Sequence, residues 1–196
     1  RVNYPQHASF LYQAQADILK RMNNTNAAIR LLDEAIKNIP DDPELIYTEV
    51  LLLDPYQNQE KLDKLLKKLL EIEPNSPTYL NAYAYTLALQ NRRLDEARQY
   101  VEHALEFTPE QASILDTLGY ITFLQNDFKT SAQVLEQAYA LSQNMKIGVR
   151  YAKSLYMQGE LTEFSKLLQQ LQKNHPDDPQ LEQLKSLLLP QPMKKS

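Results

Sequence analysis

Apolar and polar positions along this chain alternate with helical spacing, and the spacing itself recurs. In the stretch "RLDEARQYVEHALEFTP", Leu94, Ala97, Val101, Ala104 and Leu105 form a stripe on one side of a helix. Within it Ala97 is followed seven residues later by Ala104 and five later by Pro109. The same ladder occurs at Ala28, Ala35 and Pro40, at Leu62, Leu69 and Pro74, at Ser131, Ala138 and Gln143, and at Phe164, Leu171 and Pro176. Its last positions are separated by 34, 35, 34 and 33 residues. A period near 34 kept through five units predicts a repeat architecture, in which no unit can bury its apolar face alone and neighbours must stack.

Each unit reads as two helices. The first carries a small residue at its midpoint, namely Ala16, Val50, Ala84, Gly119 and Ala152, and the second carries the ladder. Between them lie Asn23-Asn24, Asn91, Asn126-Asp127 or Gly159, residue types that tolerate the left-handed backbone that ends a helix. Between units, "DDPEL", "NSPTYL" and "DDPQL" predict an Asp or Ser N-cap followed by proline at the first helical position, where its missing N–H costs nothing. The second unit departs from this plan, since "LLLDPYQNQEKL" calls for a longer turn containing a proline.

The expected fold is therefore all-α: a solenoid of five helix-turn-helix repeats over residues 9–42, 43–76, 77–111, 112–145 and 146–178, closed by a covering helix at 179–189. These make one domain spanning 1–190, with a loose polar tail at 191–196. Composition agrees, because the chain has only 3 glycines in 196 residues, too few for the tight turns of sheet proteins or of dinucleotide and phosphate-binding loops.

This pattern resembles the tetratricopeptide repeat, over nearly the whole chain. The resemblance implies a right-handed solenoid with a peptide-binding inner surface. The family's usual tryptophan in the first helix is replaced here by residues such as Tyr12, Ile46 and Leu115. A narrower resemblance rests on "LNAYAYTLA", "RLDEA", "HALEFTP" and "ILDTLGY", which in this order look like the C-terminal half of proteobacterial repeat lipoproteins of the outer membrane. It implies a periplasmic adaptor that brings substrates to a protease, anchored at the outer membrane in its full-length form; a cytoplasmic location is the alternative. Where such proteins have a glycine after "LNA", this chain has Tyr83-Ala84.

Charge and cysteine content narrow the function. A formal net charge of −4 argues against a nucleic-acid partner, which calls for a basic excess. No apolar run approaches the roughly 20 residues needed to span a bilayer. With no cysteine there are no disulfides, thiolate nucleophiles or thiolate metal ligands.

Catalysis is not expected. Asp95 and Glu96 sit in a first helical turn, where they favour the helix dipole, and Glu102 and His103 point away from the apolar stripe without a cleft to hold them. His7, His103 and His175 fall in different repeats without partners at ligand spacing, so neither a metal nor another cofactor is expected. Asp41-Asp42 and Asp177-Asp178 precede prolines and read as caps. Lys61, Lys64, Lys67 and Lys68 share one side of a helix, to be read either as a solvated outer face or as a basic patch for an acidic partner or anionic lipid.

The register supplies the functional expectation. The residue after each midpoint small residue should face the inner side of the stack, and there stand Asp17, Leu51, Tyr85, Tyr120 and Lys153. One turn on come Lys20, Asp54, Ala88, Phe123 and Tyr156; one turn back come Gln13, Tyr47, Asn81, Asp116 and Val149. From these, Gln13, Asp17, Lys20, Tyr47, Asn81, Tyr85, Asp116, Tyr120, Phe123, Lys153 and Tyr156 are the candidate groove for a protein or peptide partner. Tyr and Phe offer large contact area at small entropic cost, although the same rings could instead pack between adjacent first helices. The family's grip on a peptide's terminal carboxylate is mostly missing, since the matching positions are Gln13, Asp17 and Asn81 with Lys20 alone cationic nearby. A different class of function is self-assembly, with two copies pairing through an apolar N-terminal end around Phe10 and Leu11.

Overall fold

The computed structural model describes residues 5–188, with side chains from Ala8 onward. The tail expected over 191–196, the last residue of the covering helix and the side chain of His7 lie outside the described residues. By internal packing the chain divides into two compact units, Arg1–Arg92 and Arg93–Ser196. The boundary falls in the turn between the two helices of the third expected repeat.

The first unit holds α1 (Pro5–Arg21), α2 (Thr25–Asn38), α3 (Pro43–Val50), α4 (Gln59–Ile72) and α5 (Pro77–Leu89). The second holds α6 (Leu94–Phe107), α7 (Ala112–Leu124), α8 (Phe128–Ser142), α9 (Met145–Gln158), α10 (Leu161–Asn174) and α11 (Pro179–Leu187). All described elements are helices, as the 34-residue period predicts. Helices pair in chain order, α1 with α2, α3 with α4, α7 with α8 and α9 with α10, and each pair stacks on the next within its unit.

The ladder residues are the seam. Ala28, Ala35, Leu62, Leu69, Ala97, Ala104, Ser131, Ala138, Phe164 and Leu171 are all buried, and so are the midpoint residues Ala16, Val50, Ala84, Gly119 and Ala152. In the first unit Ala16, Ala28, Leu32, Ala35 and Leu45 form one apolar cluster; in the second, Leu135, Phe164 and Leu171 anchor a larger one that extends to Leu181 and Leu184 of α11. The covering helix therefore closes the C-terminal pair with two leucines.

The turns follow from residue type. Asn23, Asn91, Asn126 and Gly159 take positive φ of 57°, 49°, 62° and 90°. Gln143, standing where the other repeats have proline, is also left-handed at 51°, and its side-chain amide donates to the Tyr139 carbonyl at 3.1 Å. Asp42 caps α3 by accepting the Leu45 N–H at 3.0 Å while its other oxygen accepts the Ser9 hydroxyl, tying α1 to α3. Asp178 caps α11 by accepting the Gln180 N–H, two residues on, at 2.8 Å. Ser76 departs from expectation and makes no side-chain bond to its helix; Pro77 at the first position leaves one fewer N–H to satisfy there. In the long turn before α4, Asp54 accepts the N–H groups of Tyr56 and Gln57, both at 2.8 Å.

Candidate functional site

The second unit brings one group of candidate residues together. Asp116, Tyr120 and Phe123 are spaced by four and three residues on α7 and share a face. The adjacent first helix, α9, presents Arg150 and Lys153 to them. Between the two helices lies a cavity of about 140 Å³, lined by Tyr120, Phe123, Leu135, Arg150 and Lys153. Leu135 comes from α8 behind and makes the apolar floor.

Close helix approach is what puts Leu135 there. A Cβ on Gly119 would lie 2.4 Å from Leu135 Cγ, so only glycine lets α8 sit so near α7 at this turn. The Ser131 hydroxyl donates to the Gly119 carbonyl at 2.7 Å, and its oxygen is 2.8 Å from that of Ser154. Ser154 has one proton to give, to Ser131 or to the Arg150 carbonyl at 3.0 Å; given to Ser131, it completes a relay from α9 through α8 to the Gly119 carbonyl of α7. Buried hydroxyls thus fix the backbones of α7, α8 and α9 relative to each other around the cavity.

The walls are held as well. Arg150 Nη1 lies 2.5 Å from Asp116 Oδ2, and its guanidinium carbon is 4.5 Å from the centre of the Tyr120 ring. Arg150 therefore serves the carboxylate and the ring face at once, which orients Tyr120 before any partner arrives. Asp116 Oδ1 is buried without a hydrogen-bond partner, so the carboxylate depends on this single cation. Phe123 rests edge-on against Phe128 at 5.3 Å. Lys153 lines the cavity and has no ion-pair partner among the described residues.

Other candidates are placed differently. Tyr156 is half-buried and leans on the core ring of Phe164 at 5.6 Å. In the first unit, Tyr47 packs on buried Tyr79 with ring centres 5.2 Å apart, and burial raises the pKa of Tyr47 and pushes Tyr79 up to about 12. Tyr85 and Asn81 on α5 are half-buried, and Asn81 Oδ1 is buried without a hydrogen-bond partner. On α1, Gln13 is half-buried and Lys20 exposed, while Asp17 pairs with Arg21 one turn on at 2.8 Å. Val149, aligned with Asp116 in the register, is core.

Arg150 was not among the expected residues, yet it organises the site. Its sequence signal is slight: it stands one residue past Val149, the register counterpart of Asp116, and carries the opposite charge.

The lysines of α4 are largely committed. Lys61 bonds Asp33 at 2.8 Å and also the carboxylate of Glu49, which is 1% exposed. Lys67 pairs with Asp63 at 2.8 Å and Lys68 with Asp41 at 2.7 Å. They border a cleft of about 520 Å³ that Asp33, Glu49 and Glu71 also line, so positive charge there is met by carboxylates. Of the two readings of this cluster, the structure supplies partners for three of its four cations.

Two tetratricopeptide repeat models match, one over residues 11–42 and one over 123–188. The chain is 30% identical over 138 residues to the TPR repeat-containing protein PA4667 of Pseudomonas aeruginosa, an alignment covering 70% of this chain and 23% of that protein. It thus spans about a quarter of that relative's length. Among solved structures, MamA from Desulfovibrio magneticus RS-1 superposes with a TM-score of 0.74 at 16% identity, over 87% of this chain and 97% of that one. PilF of Pseudomonas aeruginosa superposes with a TM-score of 0.73 at 16% identity, over 93% and 98%. At such identities the likeness is one of fold. Among the described residues no helix is long and apolar enough to cross a membrane.

Proposed function

We propose that this chain, which belongs to the tetratricopeptide repeat superfamily, is a non-catalytic scaffold that binds a polypeptide partner on the faces of its first helices, with the cavity between α7 and α9 as the anchor point. The observation that carries this reading is the Asp116–Arg150–Tyr120 array beside an aromatic cavity. A ring oriented in advance binds at lower entropic cost than one ordered on contact. A scaffold role also suits a fold whose members generally work by holding proteins together.

The finer reading is an adaptor in the bacterial envelope, held in the periplasm through an outer-membrane anchor of the full-length protein, that presents substrates to a protease or organises a complex there. Its support is the run of "LNAYAYTLA", "RLDEA", "HALEFTP" and "ILDTLGY". Fractionation of cells carrying the native full-length protein tests it: recovery with the outer membrane agrees, and recovery in the cytosol overturns it.

The groove is tested by selecting binders from a displayed library of extended peptides and measuring their affinity for the native chain and for the Tyr120→Ala/Phe123→Ala variant. Loss of two such aromatic contacts is expected to weaken binding by about a hundredfold. Unchanged affinity with an intact circular dichroism spectrum would remove the groove from the account.

Exposed apolar side chains on α1 favour a second reading. Leu11 is 58% exposed, whereas Leu45, Tyr79, Ile114 and Ile147 at the same register position are buried. Phe10, Ile18 and Met22 continue this bare stripe. Such a face suits self-assembly of two copies. Light scattering over a concentration series decides: mass rising toward a dimer supports it, and a strictly monomeric chain counts against it.

A further inference from the structure

We infer that the cavity between α7 and α9 is a pocket for one apolar side chain of an internal peptide segment, and that Lys153 selects segments with an acidic residue next to that side chain. This rests on the peptide-binding reading above and adds the ligand's chemistry to it.

Size comes first. A cavity of about 140 Å³ is far smaller than the several hundred Å³ of a typical small-molecule site. It is close to the roughly 150 Å³ apolar cavity known to accept a benzene-sized group. One phenyl or isobutyl group fills it. Leu135 and the rings of Phe123 and Tyr120 give such a group an apolar lining, beside the two cations Arg150 and Lys153.

Charge then sets the neighbour. Two cations border the cavity, but their availability differs. Arg150 is committed to Asp116 at 2.5 Å and to the Tyr120 ring. Lys153 has no ion-pair partner among the described residues, so one ammonium remains to meet a ligand. A chain-terminal carboxylate calls for two or more converging donors. A single ammonium on a flexible stem acts as a point charge and suits the carboxylate of an Asp or Glu side chain. The occupant is therefore an internal apolar–acidic pair.

The test uses four fluorescent peptides of otherwise identical Gly/Ser sequence. Three are capped at both ends and carry Phe-Glu, Phe-Gln or Ala-Glu at the centre; the fourth ends in an uncapped phenylalanine. Binding is read by anisotropy against the native chain, Lys153→Gln and Tyr120→Ala/Phe123→Ala. For the native chain, Phe-Glu is expected to bind about threefold more tightly than Phe-Gln, the size of a solvent-accessible ion pair. It should exceed Ala-Glu by about thirtyfold, from burial of the ring. Lys153→Gln, a change at a partly exposed side chain, should erase the Glu preference and keep the Phe preference.

Equal binding of Phe-Glu and Phe-Gln, or a Glu preference that survives Lys153→Gln, overturns the inference. So does tightest binding of the peptide with the free terminal carboxylate. If all four bind alike and all weaken in the aromatic double variant, the selectivity falls while the peptide-binding reading stands. If none binds the native chain while displayed peptides do, the selectivity again falls alone; if neither kind binds, both fall.

Discussion

Gly119→Ala sets two opposing effects against each other, and the structure decides the sign. In a helix interior, replacing glycine by alanine normally stabilises by about 1 kcal/mol, through reduced freedom of the unfolded chain. Here the added Cβ would meet Leu135 Cγ at 2.4 Å, Cδ2 at 2.7 Å and Cδ1 at 3.1 Å, where carbon atoms prefer about 3.5–4.0 Å. Leu135 is fully buried, and the Ser131–Gly119 bond ties the two helices together at this turn. The helices cannot part cheaply. Overpacking of this kind costs about 1–3 kcal/mol, and contacts more than 1 Å too short fall at the upper end, so the net loss is about 2 kcal/mol. Urea unfolding followed by far-UV circular dichroism should show a midpoint lower by about 1 M, for a slope near 2 kcal/mol/M. Leu135→Ala alone should cost about 3 kcal/mol from the cavity it leaves. Adding Gly119→Ala to it should recover part of that loss, because the new methyl then has space. A Gly119→Ala chain more stable than the native one would refute the close approach of α7 and α8 and the cavity floor built on it.

Other consequences are as specific. Lys61→Met strands the buried carboxylate of Glu49 and should cost about 3 kcal/mol at neutral pH. Burial raises the Glu49 pKa and Lys61 pulls it back, so removing Lys61 raises it further. An acid with a raised folded pKa stabilises fully below its unfolded value, and that contribution is lost as pH rises through the folded one. Melting temperatures of variant and native chain should therefore converge on acidification toward the ordinary glutamate range; a gap constant with pH would contradict this. Arg150→Met should cost about 2 kcal/mol, reduced from the fully buried case because the Arg150 side chain is 25% exposed. Adding Asp116→Leu should restore stability in a urea titration but not peptide affinity; no recovery would mean the pair is not coupled. Gly159→Ala should cost about 1 kcal/mol by thermal unfolding, from backbone alone, since its φ is +90° and nothing lies within 4 Å of the added methyl. No loss would mean that the turn relaxes out of the left-handed region.

What could be read in advance was whatever a single repeat determines. Ala28 and Ala35, Ala97 and Ala104, and the midpoint residues from Ala16 to Ala152 must be buried because two helices can approach only there, and all are. Asn91 and Gly159 mark left-handed turns for a reason contained in their own side chains. Contacts between repeats were harder. The Lys61 ion pairs depend on which carboxylates α2 and α3 place beside α4, and one helix read alone shows only a row of lysines. Tyr47 and Tyr156 occupy the expected register positions, yet Tyr79 and Phe164 supply neighbours that cover part of each ring. Arg150 stands outside the three register positions that predict the inner face, two residues before Ala152, where one repeat read alone gives no reason to expect an inward charge.

The most direct measurement is amide chemical-shift mapping of the native chain as the capped Phe-Glu peptide is added. The account predicts saturable shifts concentrated at Tyr120, Phe123, Leu135, Arg150 and Lys153, absent from the Tyr120→Ala/Phe123→Ala variant. Shifts gathered instead on α1 around Phe10 and Ile18, or on the cleft between α2 and α4, would contradict it.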